Sequence, residues 1–500
     1  MHSFLRTFVS VGAGFVALGA GLVGSPRLGL AQCPEAWVPG IGVPGITAPA
    51  AQVFALAVLP NGDLIVGGDI STAGGVTANG VARFNPTTNG WSALNAGANS
   101  SVTALAAMPN GDVIAGGFFT SPANKIARWN GAAWSTLGTG MAGGTFPIVW
   151  ALAVMPNGDV IAGGQFTTAG GATVNSIARW NGTLWAALGA GMNNRVSALA
   201  VMPNGDVVAG GDFTTAGGVP VSRVARWNGT AWAALGSGIL GSVYALTAMP
   251  NGDLIAGGNF TTAGCAAANY VARWDGAAWT TLGGGTSSIV NAVAVTPNGD
   301  VIAGGLFVTA GGVTVNSIAR WNGAAWGALG SGVNSDIRAL AVLRSGAGGG
   351  NLVAGGQFTT AGGQTATCIG RYALGAAAPS ILSHPLPVVT APTGAAMFGV
   401  TASGALGTGT PVYQWRKGGV AINAVATPSA ATAVLMLGNV QAGDVGSYDC
   451  VVTNASCGGV GATSNPATLT FVSCRADFNG VNGIGIADIF DFLAAWFAGC

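Results

Sequence analysis

The sequence predicts an all-β protein, most of it a seven-bladed β-propeller closed by its own N-terminal strand. Three observations predict it. First, the aspartate of a Pro-Asn-Gly-Asp turn recurs as Asp63, Asp112, Asp159, Asp206, Asp253 and Asp300, at intervals of 49, 47, 47, 47 and 47 residues, and a seventh copy puts Asn351 in this place. A period of about 40–50 residues made of short strands and Gly-rich turns is that of a propeller, one blade per repeat. Second, each copy divides into four strand-length apolar runs. Third, the two ends of the array are complementary. The seventh copy stops after its third strand, at Cys368 to Tyr372, and the strand it lacks stands near the start of the chain as Ala36-Trp37-Val38. Counting it gives seven Trp strands, at Trp37, Trp91, Trp134, Trp185, Trp232, Trp279 and Trp326, so the N-terminal strand completes the last blade and leaves no free edge.

The copy from Ser197 to Gly238 shows how each element arises. Its first two strands, SALAVMP and VVAGGDF, are joined through Asn204-Gly205, a pair that supplies the positive φ angles of a tight hairpin. The third strand, SRVARWN, follows the loop TTAGGVPV, and Asn228-Gly229 leads into the fourth, AWAALG. Apolar residues alternate along these short runs, as strands buried between neighbouring blades require. Small Ala and Gly side chains predict close packing between sheets.

Composition excludes several classes. Charged residues are 7% of the chain, the net charge is +1 and glycine numbers 86, so there is no basic footprint for nucleic acid or for an acidic membrane. Apolar runs beyond the N-terminus are strand-length, and none spans a bilayer. Residues 1–31 read as a secretory signal: His2 and Arg6 precede the apolar run Phe8 to Val23, and Gly29-Leu30-Ala31 offers small residues for cleavage. Leu30-Ala31-Gln32-Cys33 approaches a lipoprotein signal, but Gln32 is wrong for it. The mature protein is expected to be secreted or held at the cell surface, with no transmembrane segment.

The propeller fills 32–375. Its third strands each carry an arginine, Arg83, Arg128, Arg179, Arg226, Arg273, Arg320 and Arg371, against the six turn aspartates. A pair repeated in every blade predicts an intrablade tie, architectural in role, rather than an anion-binding ring. The stretch AGGDFTTAGG with VARWNGTAW resembles the GG-x-F-T…A-R-W repeats of kelch-related bacterial and fungal surface propellers, and closure by one N-terminal strand resembles WD-repeat propellers. The resemblance implies that the first strand is innermost and that the residue after the paired glycines lies near one rim. That position reads Asp69, Phe118, Gln165, Asp212, Asn259, Leu306 and Gln357 and is taken as the least uniform of the repeat. These side chains are the candidate ligand-binding set, suited to a sugar or an extended peptide, with Phe118 as a stacking surface. Trp150 stands outside the repeat's Trp positions and is either a further contact or the cover of a blade edge.

Catalysis is not expected. Sialidase-like propellers need an Asp box, an Arg cluster and a Tyr–Glu pair, and none is recognisable. Hydrolysis by two carboxylates needs them at a fixed separation, whereas Asp69 and Asp212 lie three blades apart. The two histidines, His2 and His384, both lie outside the propeller, and Cys265 with Cys368 lacks the spacing of a metal site.

Near Ala376 the composition changes, and Pro379, Pro385 and Pro387 mark a linker. Within 376–473, Tyr413-Gln414-Trp415 and the run Asp444 to Cys450, with Tyr448 two residues before Cys450, resemble the core-Trp and tyrosine-corner strands of immunoglobulin-like domains. The resemblance implies a β-sandwich that serves as a spacer or an adhesive module. Val400 stands where the partner cysteine would be, so the usual inter-sheet disulfide is absent and Cys450 is expected to pair with Cys457 across the following hairpin. The tail, 474–500, opens with Asp477-Phe478-Asn479-Gly480 and puts Asp488 at the twelfth position of an EF-hand-like loop. Val481 occupies the fifth position, so calcium would bind weakly through Asp477, Asn479, Asn482 and Asp488. A short helix follows, with Ile486, Ile489, Leu493 and Trp496 or Phe497 at helical spacing on one face. DFNG…IADIFDFLAAWFAGC resembles the single-motif dockerin-like C-termini of secreted planctomycete-type surface proteins. The resemblance implies a sorting or attachment device with a surface-anchoring or cohesin-like partner. Seven cysteines suit an oxidising compartment. With Trp37 expected beside Gly370, Cys33 and Cys368 fall at opposite ends of the strand pair, beyond disulfide reach, and the pairing of Cys33, Cys265, Cys368, Cys474 and Cys500 stays open.

The expectation that follows is an exported, cell-surface-associated binding or adhesion protein that recognises an extracellular glycan or protein ligand through the propeller loop face. Its rivals are a polysaccharide-active enzyme and a purely structural envelope component.

Overall fold

A computed structural model describes residues 35–39, 41, 43–344, 350–374, 381–402, 411–454, 461–472, 489–490 and 493–494. The expected signal (1–31), the calcium-loop residues Asp477, Asn479, Asn482 and Asp488, and Cys33, Cys457, Cys474 and Cys500 lie outside the described residues.

Up to Ala373 the regular elements are all strands, and they form a β-propeller of seven successive antiparallel sheets with four main strands each. Within six of the sheets the strands lie side by side in sequence order. In the seventh, Ala36–Val38 takes the fourth place beside Ile369–Ala373. First strands of neighbouring sheets touch in a ring, and Gln52–Val58 packs against both Val102–Ala107 and Ile337–Arg344.

Three repeated devices build this ring. The Pro-Asn-Gly-Asp turn closes when the Leu59 amide donates to the Asp63 carbonyl at 2.8 Å, with Gly62 at φ +88°. The Asn61 side chain then braces Asp63 from both sides, at 3.1 Å to its amide and 2.9 Å to Oδ2. The same carboxylate reaches across the sheet to the third-strand arginine, so Arg83, Arg128, Arg179, Arg226, Arg273 and Arg320 each pair with the turn aspartate of their own sheet. The intrablade tie is therefore present in six sheets. In the seventh, Arg371 Nε is buried without a partner among the described residues, and burial lowers the pKa of its guanidinium.

The third device joins sheets. The fourth-strand indole N–H donates to a leucine carbonyl of the preceding sheet, as in Trp185 to Leu137 at 2.9 Å and Trp232 to Leu188 at 2.8 Å. The paired glycines of the second strand let the sheets approach. A Cβ on Gly163 would stand 2.5 Å from Val196 Cγ1 of the next sheet, and one on Gly164 would stand 2.1 Å from the Ile148 carbonyl oxygen.

Closure by the N-terminal strand has a different register from the one expected. Trp37 stands opposite Tyr372, not Gly370. In the other sheets the fourth-strand Trp faces the last aromatic of the third strand, as Trp185 faces Trp180, and Tyr372 is that aromatic here. The two rings meet edge to face at 5.4 Å.

Residues 381–472 form a second β unit. One sheet contains Val388–Thr390, Ala467–Phe471, Gly446–Asn454, Pro411–Lys417 and Val420–Ala421, and another pairs Ala396–Gly399 with Val434–Leu437. Phe398, Trp415, Tyr448, Cys450 and Leu469 form a core between them. Phe398 stacks on Tyr448 at 4.9 Å, and Tyr448 donates its hydroxyl to the Asp444 carbonyl at 2.6 Å. Val400 is buried in the same core. Cys450 has no disulfide partner among the described residues, and its expected partner, Cys457, lies outside them. Of the tail, 489–490 and 493–494 are described, and they are helical.

Candidate functional site

Each first strand carries one residue more than its partner strand accommodates. Val53 and Ala55 oppose the consecutive Gly68 and Gly67, so Phe54 is left unpaired as a bulge. The same residue is skipped in every sheet: Thr103, Trp150, Ser197, Tyr244, Asn291 and Arg338. A bulge re-aims its side chain. Because the first strands form the inner ring, these seven side chains turn toward the axis. With Arg195, Leu306 and Asp336 they line a cavity of about 370 Å³ at one mouth of the channel.

This is the most variable position of the repeat. An alanine follows it in every copy, yet its seven occupants are seven different residues. The residue after the paired glycines is less varied, with Asp twice and Gln twice, so the expectation that it is the least uniform position is corrected. It pairs with the residue two places before the bulge, as Asp69 does with Gln52 and Gln165 with Ile148, and so sits outside the inner ring.

Of the expected ligand set, Leu306 lines the cavity, and Phe118 reaches its wall edge-on to Trp150 at 5.6 Å. Gln165, Asn259 and Gln357 are exposed beside the cavity rather than in its lining. The two aspartates tie neighbouring sheets together. Asp69 accepts from Ser101 of the next sheet and borders a separate groove of about 540 Å³. Asp212 accepts from Ser242 at 2.6 Å and pairs with Arg195 at 2.7 Å. Trp150, outside the repeat's Trp positions, has its ring in the lining of this cavity.

The wall has two chemically distinct arcs. On one, Asp336 accepts from Asn291 Nδ2 at 2.7 Å and from Arg338 Nε at 2.8 Å. Burial raises its pKa above the ordinary aspartate value despite these partners. The Arg338 guanidinium lies over the Phe54 ring at 5.4 Å. On the other arc, the Arg195 guanidinium lies over Trp150 at 5.6 Å. There Trp150 Nε1, Arg195 Nε and Ser197 Oγ are buried without a hydrogen-bond partner among the described residues. Three of the four buried unpartnered side-chain atoms of the described residues thus belong to this one arc. Buried polar atoms are normally paired.

A larger cavity, about 750 Å³, opens at the opposite mouth, where Leu59, Met108, Met155 and Met202 and their following prolines line it. Its lining repeats from sheet to sheet, which is the pattern of scaffold rather than of recognition. Among the described residues there is no group of three or more His, Cys, Asp or Glu placed to hold a metal ion. No described helix is long and apolar enough to cross a membrane.

The family model of the Rax2 C-terminal beta propeller domain matches residues 178–348, and that of a beta-propeller domain of unknown function, DUF5122, matches residues 59–89. Both lie within the ring of sheets. Among solved structures, the chain is similar to extracellular domains 3–5 of Drosophila OTK at 20% identity, covering 24% of this chain and 39% of that one with a TM-score of 0.17. It is also similar to chimeric titin Z1Z2 at 25% identity, covering 19% of this chain and 96% of that one with a TM-score of 0.16. Immunoglobulin domains 1–4 of Sidekick-1 are similar at 23% identity, covering 19% and 24% of the two chains with a TM-score of 0.17. Likeness at these TM-scores carries no weight. No match is found among curated proteins.

Proposed function

We propose that this protein is an exported, cell-surface-associated binding module that recognises an extracellular glycan or peptide in the axial funnel of a closed, seven-bladed propeller. The observation that carries the reading is the bulge ring: one repeat position holds Phe54, Thr103, Trp150, Ser197, Tyr244, Asn291 and Arg338 while its neighbours stay nearly constant. A scaffold needs no such difference between blades, whereas a ligand without sevenfold symmetry does. Phe54, Trp150 and Tyr244 supply ring faces, and the polar side chains between them can fix a ligand's orientation.

The rest of the chain fits display. Ala36–Val38 serves as the fourth strand of the last blade, and the second β unit is an immunoglobulin-like spacer, as Trp415 and the Tyr448-to-Asp444 hydrogen bond support. The dockerin-like tail holds the protein at the surface through an anchoring or cohesin-like partner, with weak calcium binding. The module is non-catalytic. The cavity lining contains one carboxylate, Asp336, already engaged by Asn291 and Arg338, whereas glycoside hydrolysis uses two.

Retention of the full chain on polysaccharide and peptide panels, recorded together with released product, tests the proposal. Retention without release is expected, lost in Trp150→Ala and Tyr244→Ala and kept in Gln165→Ala. Retention indifferent to both aromatic changes moves the site elsewhere, and product release makes the protein an enzyme. Absence of any retention favours a structural envelope component, the reading that the repeated Asp–Arg and Trp–Leu ties support.

A further inference from the structure

The unpartnered groups of the funnel are of one chemical kind. An indole N–H and an arginine Nε–H can only donate, and a serine hydroxyl can donate as well. Trp150, Arg195 and Ser197 come from the adjoining sheets of Ile148–Val154 and Val196–Val201, so their orphan donors share one arc of the cavity. The facing arc makes no hydrogen bond to them: Asp336 accepts from Asn291 and Arg338 on its own side of the cavity. A ligand that completes the site must therefore bring acceptors. The Arg195 guanidinium, with Nη2 held by Asp212 and Nε free, favours a charged acceptor, since charge-assisted bonds to a carboxylate are the strong ones.

We infer that the funnel takes a carboxylate-bearing sugar unit of an acidic glycan, its carboxylate received by Trp150 Nε1, Arg195 Nε and Ser197 Oγ. This deepens the binding reading above and rests on it. The sugar half of the inference comes from the rest of the wall. Phe54, Trp150 and Tyr244 give flat apolar faces for the C–H side of a pyranose, and Asn291 and Asp336 give planar polar edges for its hydroxyls. A volume of about 370 Å³ is at the small end of ligand sites and suits one or two sugar units rather than a folded epitope.

The test titrates the full chain by calorimetry with oligomers of galacturonate, mannuronate and glucuronate, each beside its carboxyl-reduced neutral counterpart, and with peptides bearing a free or amidated C-terminal carboxylate. At least one uronate oligomer is expected to bind tenfold or more tighter than its neutral counterpart. Trp150→Phe, which keeps a ring and removes the donor, and Arg195→Gln should each erase most of that ratio. Circular dichroism confirms that each variant is folded. Equal affinity for acidic and neutral oligomers, both lost in Tyr244→Ala, overturns the inference and leaves the funnel as the binding site. Binding confined to peptides with a free carboxylate also overturns it. Absence of any Tyr244-dependent binding overturns both this inference and the reading on which it rests.

Discussion

Trp37 donates its indole N–H to the carbonyl of Leu329 at 2.9 Å, across 292 residues of chain. Trp326 makes the same bond to Leu282 at 2.7 Å, and Trp279 to Leu235 at 2.9 Å, so the N-terminal strand is latched to its neighbour as an internal fourth strand would be. Trp37 is buried, packs on Tyr372 and belongs to the core cluster that includes Leu329 and Phe358. Trp37→Ala should cost about 3–5 kcal/mol, the usual range for truncating a buried aromatic. Removal of residues 32–39 should in addition expose the Ile369–Ala373 edge and promote self-association. Thermal unfolding and light scattering read the two effects. Equal melting temperatures for wild type and Trp37→Ala would show that the latch does not close the ring.

Arg371 is the odd member of a repeated pair. Six arginines have an aspartate in their own sheet, but Arg371 faces the place held by Asn351, and its Nε is buried without a partner among the described residues. Asn351→Asp should create the missing pair and stabilise the protein by about 0.5–1 kcal/mol, the ordinary worth of a partly exposed ion pair. Asp206→Asn should have the opposite sign. Urea denaturation of both variants checks the prediction, and a destabilised Asn351→Asp would show that the tie is not what the repeat preserves.

Much of this scaffold is legible in the sequence because its devices are local and repeated: the Asn-Gly turn, the Asp–Arg pair twenty residues apart in most sheets, and the fourth-strand Trp. The site is less legible because a bulge breaks the alternation on which strand reading rests. Read as regular strand, Phe54 or Trp150 is one more alternating residue. Only the skipped pairing sends it to the axis. The signal was present, since seven different residues precede a constant alanine, but the paired glycines draw attention to the position after them instead. The register of Trp37 is hard to read for a related reason, because its partner is fixed by the facing aromatic, Tyr372, rather than by strand ends.

Asp336 should give the funnel a pH signature. Its carboxyl is raised above the ordinary aspartate range by burial, which exceeds the opposing help from Arg338 and Asn291. A carboxyl raised in the folded state binds its proton more tightly there than in the unfolded chain. Its contribution to stability is therefore fully present below the unfolded value near 3.8 and is lost as pH rises through the folded one. The stability difference between wild type and Asp336→Asn should accordingly shift in favour of the variant as pH climbs out of the acidic range. Parallel unfolding free energies from pH 3 to pH 8 would refute a raised pKa at this site.

The paired glycines make a final prediction that couples scaffold to site. A Cβ at Gly163 meets the side chain of Val196, the residue before the bulged Ser197, whereas a Cβ at Gly164 meets the backbone oxygen of Ile148. A side chain can turn or be trimmed, but a backbone carbonyl in the ladder cannot move without disturbing its pairing. Gly163→Ala should therefore cost about 1–3 kcal/mol, the range for overpacking a close-packed interior, and Val196→Ala should relieve it in the double variant. Gly164→Ala should cost more, and no side-chain truncation should rescue it. Because Val196 sets the position from which Ser197 enters the funnel, Gly163→Ala should also weaken ligand retention more than its effect on folding explains. Additive stabilities for Gly163→Ala and Val196→Ala would show that the two sheets do not meet through this pair.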